Sequence, residues 1–199
     1  DYKKLEKEER SKETKYSGVY LSIEEQRQLK NLVLSPSRSL VRDWVLIACS
    51  TGQRYSDWDK LRPENITHTV DGDVIEFIQQ KTKAKVAVPV GKTVWVIWEK
   101  YPKGMKLPSD QQVRTVIKEL CKTIGLTDDI AGKPKYKHIG THIGRYSFVS
   151  NSIDQDIPDK TIMAITGHFD KDVFSSYLKL TQAKLAKKAH DYPLFNQAL

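Results

Sequence analysis

One interruption in an otherwise helical pattern limits what this chain can fold into. Over residues 65–70, 74–80 and 85–90, Val, Ile, Thr and Phe replace the helical spacing found before and after them. Asp71-Gly72 stands between the first two runs as a hairpin turn, and Lys81-Thr82-Lys83 forms the tip of a second turn. Three short strands joined by two tight turns make an antiparallel meander, and every other segment reads as helix. The expected fold is therefore mainly α with a small three-stranded antiparallel sheet, in the α+β class.

The helical segments carry their own boundaries. Ser22 and Glu25 stand at capping-box spacing and open a helix expected to run to about residue 34. A second helix over residues 39–49 places Leu40, Trp44, Ile47 and Ala48 along one face and stops at Gly52. A short helix at 56–61 ends before Pro63. After the sheet, helices are expected at about 91–100, 109–124, 141–153, 158–166, 170–177 and 181–189, with Gly125 and Gly167 as stops. Residues 1–17 mix lysine with glutamate, contain almost nothing apolar, and read as a charged linker. Residues 18–199 then form one domain large enough for a sizeable core.

Charge and cysteine content narrow the function. The formal net charge of +8 favours polyanionic partners and makes nucleic acid a candidate. No stretch approaches the length of a membrane span. Cys49 and Cys121 each lie in an apolar helical pattern, which fits neither a zinc cluster nor a disulfide framework and suits a reducing cytoplasm.

Several polar residues are individually ordinary. Arg54 reads as a surface arginine paired with Asp57, His142 and Arg145 share a helix face, His168 follows a helix stop, Tyr177 sits beside Val173 and Phe174, and Lys81 occupies a turn. Together they make a chemical set. Cleaving a phosphodiester without metal requires cations on the non-bridging oxygens, an activated nucleophile and a proton for the leaving oxygen. Two arginines, a lysine, two histidines and a tyrosine include a residue for each task.

The order of these residues resembles the catalytic domain of the tyrosine recombinases, the phage-integrase type. The resemblance lies in Thr51-Gly52-Gln53-Arg54-Tyr55-Ser56-Asp57, Gln80-Lys81-Thr82, Thr141-His142-Ile143-Gly144-Arg145-Tyr146-Ser147-Phe148, Thr166-Gly167-His168 and Tyr177. Arg145 and His168 are 23 positions apart, and Tyr177 follows nine later, as in the family. The resemblance implies that Tyr177 attacks the scissile phosphate to leave a 3′-phosphotyrosine and a free 5′-hydroxyl. It implies that Arg54 and Arg145 hold the phosphate, that Lys81 is the general acid, that His142 assists proton transfer, and that His168 hydrogen-bonds the phosphate. Asp57 would orient the Arg54 loop. Lys83 and Lys85 compete with Lys81 for its role.

The resemblance further implies double-stranded DNA as partner, a homotetramer assembled on it, accessory DNA-bending proteins and a bacterial, nucleoid-associated setting on a mobile element. It implies no cofactor and no metal. Gln53 and Gly144 stand where the family usually has apolar residues, and Tyr146 where a basic residue or histidine is common. Family members usually carry a separate helical DNA-binding domain ahead of the catalytic one, and this chain, with the charged segment 1–17 in that place, is expected to lack it. Weak, strongly salt-dependent DNA binding by this chain is therefore expected. Relaxation of supercoiled DNA by the same chemistry, and a silent DNA-binding module of the same fold, are the other readings. Lys100 to Lys106 around Tyr101, and Lys133, Lys135 and Lys137 around Tyr136, are further phosphate-contact candidates.

Overall fold

The computed structural model describes residues 19–167. Helix α1 spans Ile23–Asn31 and is opened by the expected capping box, with Glu25 N donating to Ser22 Oγ at 3.2 Å and Ser22 N to Glu25 Oε2 at 2.7 Å. It ends three residues earlier than its sequence pattern suggests, because Leu32 turns extended. Arg42 Nη1 donates to the carbonyls of Lys30 (3.2 Å) and Leu32 (2.8 Å), so the acceptors left over at the helix end are taken by a side chain.

Helix α2 (Pro36–Thr51) begins three residues before the expected start, with proline at its first position, where no amide partner is lost. It is the central helix. The sequence suggests one apolar face, but Val45, Leu46 and Cys49 are buried beside Trp44, Ile47 and Ala48, as are the charged pair Arg42 and Asp43, while Leu40 is only half-buried. Asp43 accepts from Arg42 Nε at 2.8 Å, from the Tyr101 hydroxyl at 2.9 Å and from Lys100 Nζ at 3.5 Å. Two residues of the 100–106 stretch expected near phosphate thus bond a buried carboxylate, the half-buried Tyr101 closely and the exposed Lys100 at the longer distance.

Beyond α2, 3₁₀ turns over Tyr55–Lys60 and Pro63–Asn65 lead into β1 (Ile66–Thr69), β2 (Gly72–Ile78) and β3 (Lys85–Pro89). The sheet is antiparallel in the order β1-β2-β3. Thr69 pairs with Gly72, so the two loop residues are Val70 and Asp71, one position before the expected Asp71-Gly72. Period-two alternation buries Val86 and Val88 of β3 and leaves Lys85, Ala87 and Pro89 outside. With Ala84 they form a small cluster against Phe77 and Ile165.

The remaining helices among the described residues are α3 (Lys92–Trp98), α4 (Asp110–Thr123), α5 (Ile143–Asp154) and α6 (Asp159–Thr166); those expected at 170–177 and 181–189 lie outside the described residues. A two-residue hairpin, β4 (Asp129–Ile130) with β5 (Lys133–Pro134), and a 3₁₀ turn over Lys135–His138 lie where no element is expected, since two-residue strands leave no periodicity to read. Lys135 pairs with Glu25 and sits 6.0 Å from the Tyr20 ring centroid, so it too serves the fold. Helices α2 and α5 cross at Gly144, where an added Cβ would lie 2.4 Å from Ala48 Cβ. The absence of a side chain lets two backbones meet, which explains glycine at a position where the family favours apolar residues.

Cys49 and Cys121 are both buried. Burial pushes the Cys49 thiol up to about 12, partly offset by a hydrogen bond with Ser147, and raises Cys121 as well. Because the thiolate is the reactive form, neither is expected to react with a thiol-exchange reagent in the native protein at neutral pH. Both should titrate in urea, and fast native-state labelling would contradict the packing. No helix among the described residues is long and apolar enough to cross a membrane.

Candidate active site

The site is built where the end of α2 meets the end of α6. Gly52 closes α2 with a left-handed φ of 69°, and a Cβ there would fall 2.5 Å from the Phe148 ring. This turn aims the next residues back across the molecule. Trp58, stacked on Trp44 with ring centroids 6.2 Å apart, anchors the segment by donating its indole N–H to the Gln53 carbonyl at 3.1 Å. Arg54 is thereby held at the start of the 3₁₀ turn.

Arg54 and Arg145 are both buried, with 7% and 1% of their surfaces exposed. Arg145 Nη1 donates to the Gly52 carbonyl at 3.1 Å and Nη2 to the Thr166 carbonyl at 2.7 Å. One guanidinium therefore spans the ends of two helices. Arg54 Nη1 donates to Gln79 Oε1 at 3.2 Å, and Gln79 Nε2 donates to that same Thr166 carbonyl at 2.9 Å. The two arginines are linked through one carboxamide and one carbonyl. Fixed in this way, both guanidiniums are oriented by protein groups.

Lys81 lies in the β2–β3 turn, two residues past Gln79, and is half-buried, whereas Lys83 and Lys85 are exposed. Lys85 pairs with Glu76 on the neighbouring strand at 3.4 Å. That placement favours Lys81 among the three. The turn is clamped from below: Asp57 Oδ1 accepts from Gln80 N at 2.8 Å and from Lys60 Nζ at 2.7 Å, and Lys60 also reaches the Ile78 carbonyl at 2.7 Å. Asp57 thus joins the Arg54 segment to the Lys81 turn.

His142 is the N-cap of α5, one turn before Arg145, and is exposed with its ring 6.0 Å from that of Tyr146. The two residues expected to share a face differ in burial, because His142 stands outside the helix and Arg145 within its buried side. His168 and Tyr177 lie outside the described residues. Among the described residues, Arg54 bonds Gln79 directly, Arg145 shares the Thr166 carbonyl with it, and Lys81 lies two residues further along the chain. Gln79 is the site residue that motif reading passes over, while Gln53, read there as a departure from the family pattern, donates its Nε2 to the Thr51 and Ile165 carbonyls. The available signal is alternation: Ile75 and Phe77 fall on one side of β2, and Gln79, one residue past its end, continues that spacing, so a polar residue takes an inward position.

The structure of XerH site-specific recombinase bound to palindromic difH substrate, a post-cleavage complex, aligns with 87% of this chain at a TM-score of 0.66 and 14% identity. The XerA recombinase structure aligns with 88% at 0.64 and 18% identity. The fold is that of a tyrosine-recombinase catalytic domain. A third structure with this recombinase fold, the Tn1549 transposon integrase in complex with circular intermediate DNA, covers 84% at 0.57 and 14% identity. The chain spans 53% of the XerH structure, 65% of the XerA structure and 64% of the Tn1549 structure. No protein-family model and no curated protein matches the sequence.

Proposed function

We propose that residues 18–199 form the catalytic domain of a site-specific DNA recombinase that cuts and rejoins strands through a 3′-phosphotyrosine, with residues 1–17 as a charged linker. The observation that carries this reading is the pair of buried arginines, Arg54 and Arg145, bridged by Gln79 beside Lys81. Cations held in place and shielded from water act more strongly on a phosphate than solvated ones.

In this reading Tyr177 Oη bonds to the scissile phosphorus as the bond to the 5′ oxygen breaks. The tyrosine proton leaves with assistance from His142, and the departing oxygen takes a proton from Lys81. Arg54, Arg145 and His168 carry the charge on the non-bridging oxygens. The phosphotyrosine conserves the energy of the broken bond, so a 5′-hydroxyl from a second duplex reverses the step and seals the strand without ATP. Four copies on paired double-stranded DNA sites, with accessory bending proteins, would complete an exchange such as integration, excision or inversion.

The test is a nicked-duplex trap. A randomised pool of nicked duplexes is incubated with the protein in EDTA, so that the short cut fragment diffuses away, and resolved on a denaturing gel. The reading predicts a slow-migrating covalent adduct that forms without divalent metal. Absence of any adduct, both for this chain and for the chain joined to a helical DNA-binding domain, would contradict it. The net charge of +8 predicts that binding weakens steeply as salt rises.

A further inference from the structure

We infer that Gln79 is a positioning residue of this site, orienting Arg54 and coupling the Lys81 turn to Gly167, the residue before His168. The inference rests on the recombinase reading above. The carboxamide has two donor hydrogens and two acceptor lone pairs, and all four are used. Oε1 accepts from Arg54 Nη1 at 3.2 Å and from Thr82 Oγ1 at 2.7 Å. Nε2 donates to Gln53 Oε1 at 2.8 Å and to the Thr166 carbonyl at 2.9 Å.

The orientation of this amide is determined by its neighbours. Gln53 is itself fixed, because its Nε2 faces the carbonyls of Thr51 and Ile165, which leaves its oxygen towards Gln79. A flipped Gln79 would set its oxygen against two acceptors and its amino group against a guanidinium. Only one arrangement satisfies every group, and in that arrangement an oxygen is presented to Arg54.

Gly167 locks the same group from the other side. It ends α6 with a left-handed φ of 66°, and an added Cβ would lie 2.4 Å from Gln79 Oε1 and 2.8 Å from its Cδ. The glycine backbone rests directly on the carboxamide. Main-chain bonds finish the frame, with Gln79 N donating to the Ala84 carbonyl at 2.8 Å and Lys83 N to the Gln79 carbonyl at 3.1 Å. One side chain therefore touches the Arg54 segment, the turn bearing Lys81, and the carbonyl that also holds Arg145. A buried polar residue serving only stability would need partners, but not partners that include one expected catalytic arginine, the turn bearing the expected lysine and the carbonyl that holds the second arginine.

Gln79→Glu tests this with nearly unchanged shape. It removes both donors facing Gln53 Oε1 and the Thr166 carbonyl, and it places a carboxylate beside Arg54 that competes with the phosphate. Thr82→Val loosens the same carboxamide without burying a charge. Single-turnover adduct formation at saturating nicked-duplex DNA, DNA affinity and thermal melting are measured for wild type and both variants, each with and without Arg54→Ala. Gln79→Glu is expected to slow cleavage about 100-fold with DNA affinity little changed, and Thr82→Val about 5-fold. In the Arg54→Ala background Thr82→Val should slow cleavage no further, and Gln79→Glu by much less than about 100-fold, since both act mainly through that guanidinium.

Wild-type cleavage by Gln79→Glu, or losses that multiply with Arg54→Ala, would overturn the inference. If Gln79→Glu does not fold, Thr82→Val decides, and a rate equal to wild type overturns it. A wild-type protein that makes no adduct defeats the recombinase reading and this inference together. A wild type that cuts beside variants that cut equally well defeats the inference alone.

Discussion

Arg145→Lys is expected to slow strand cleavage by about 10²–10³-fold, even though the charge is kept. The two N–H groups of the Arg145 fork reach the carbonyls of Gly52 and Thr166, which belong to different segments of the chain. A lysine ammonium is a point charge on a flexible stem and cannot span both while presenting a planar edge to a phosphate. At least one hydrogen bond would be lost, and because the Thr166 carbonyl keeps Gln79 Nε2 the loss of stability should be modest, about 0.5–1.5 kcal/mol. Cleavage should fall far more than DNA affinity, because in the proposed reaction the arrangement would serve charge that develops in the transition state. Single-turnover rates at saturating DNA, set beside a denaturant melt, separate the two effects. A lysine variant that cuts at the wild-type rate would show that the fork geometry is irrelevant.

The largest effect on stability is expected far from this site, at Asp43. Its carboxylate is fully buried and accepts from Arg42, Tyr101 and Lys100. Asp43→Ala leaves the Arg42 guanidinium in the core without that carboxylate, and removes the acceptor of the Tyr101 hydroxyl. Breaking one side of a buried ion pair costs about 3–5 kcal/mol. For a domain of this size, that is a fall in melting temperature of about 6–20 °C. Burial and the Asp43 carboxylate both raise the Tyr101 phenol, so it remains protonated and donating throughout the neutral range. Urea unfolding measures the loss directly. A destabilisation below about 1 kcal/mol would mean that the network contributes little.

These two positions also mark what the sequence could and could not disclose. Local chemistry was readable: the Ser22–Glu25 box, the Gly52 and Gly167 stops and the three-stranded meander each follow from residues a few positions apart. The motifs containing Arg54, Lys81, His142 and Arg145 were readable as an ordered set. What escaped depended on contacts between distant segments. Nothing near Arg42-Asp43 in the sequence reveals that the pair is buried with Tyr101 and Lys100 against it. Helix α1 ends early for the same reason, since its last carbonyls are taken by a side chain ten and twelve residues further on. Gln79 finds its partners 26 and 87 positions away, and no local pattern announces them. Basic residues around Tyr101 and Tyr136 invite a phosphate reading, yet Lys100 and Lys135 are bound to carboxylates.

The account turns on the identity of the nucleophile. The covalent adduct should therefore be isolated from a nicked-duplex reaction, digested with nuclease and trypsin, and sequenced by mass spectrometry. The account predicts a nucleotide phosphate on Tyr177, in the peptide of residues 172–179, with a 5′-hydroxyl on the released strand and no adduct from Tyr177→Phe. A phosphate carried by any other residue, or an adduct that persists in Tyr177→Phe, would contradict it.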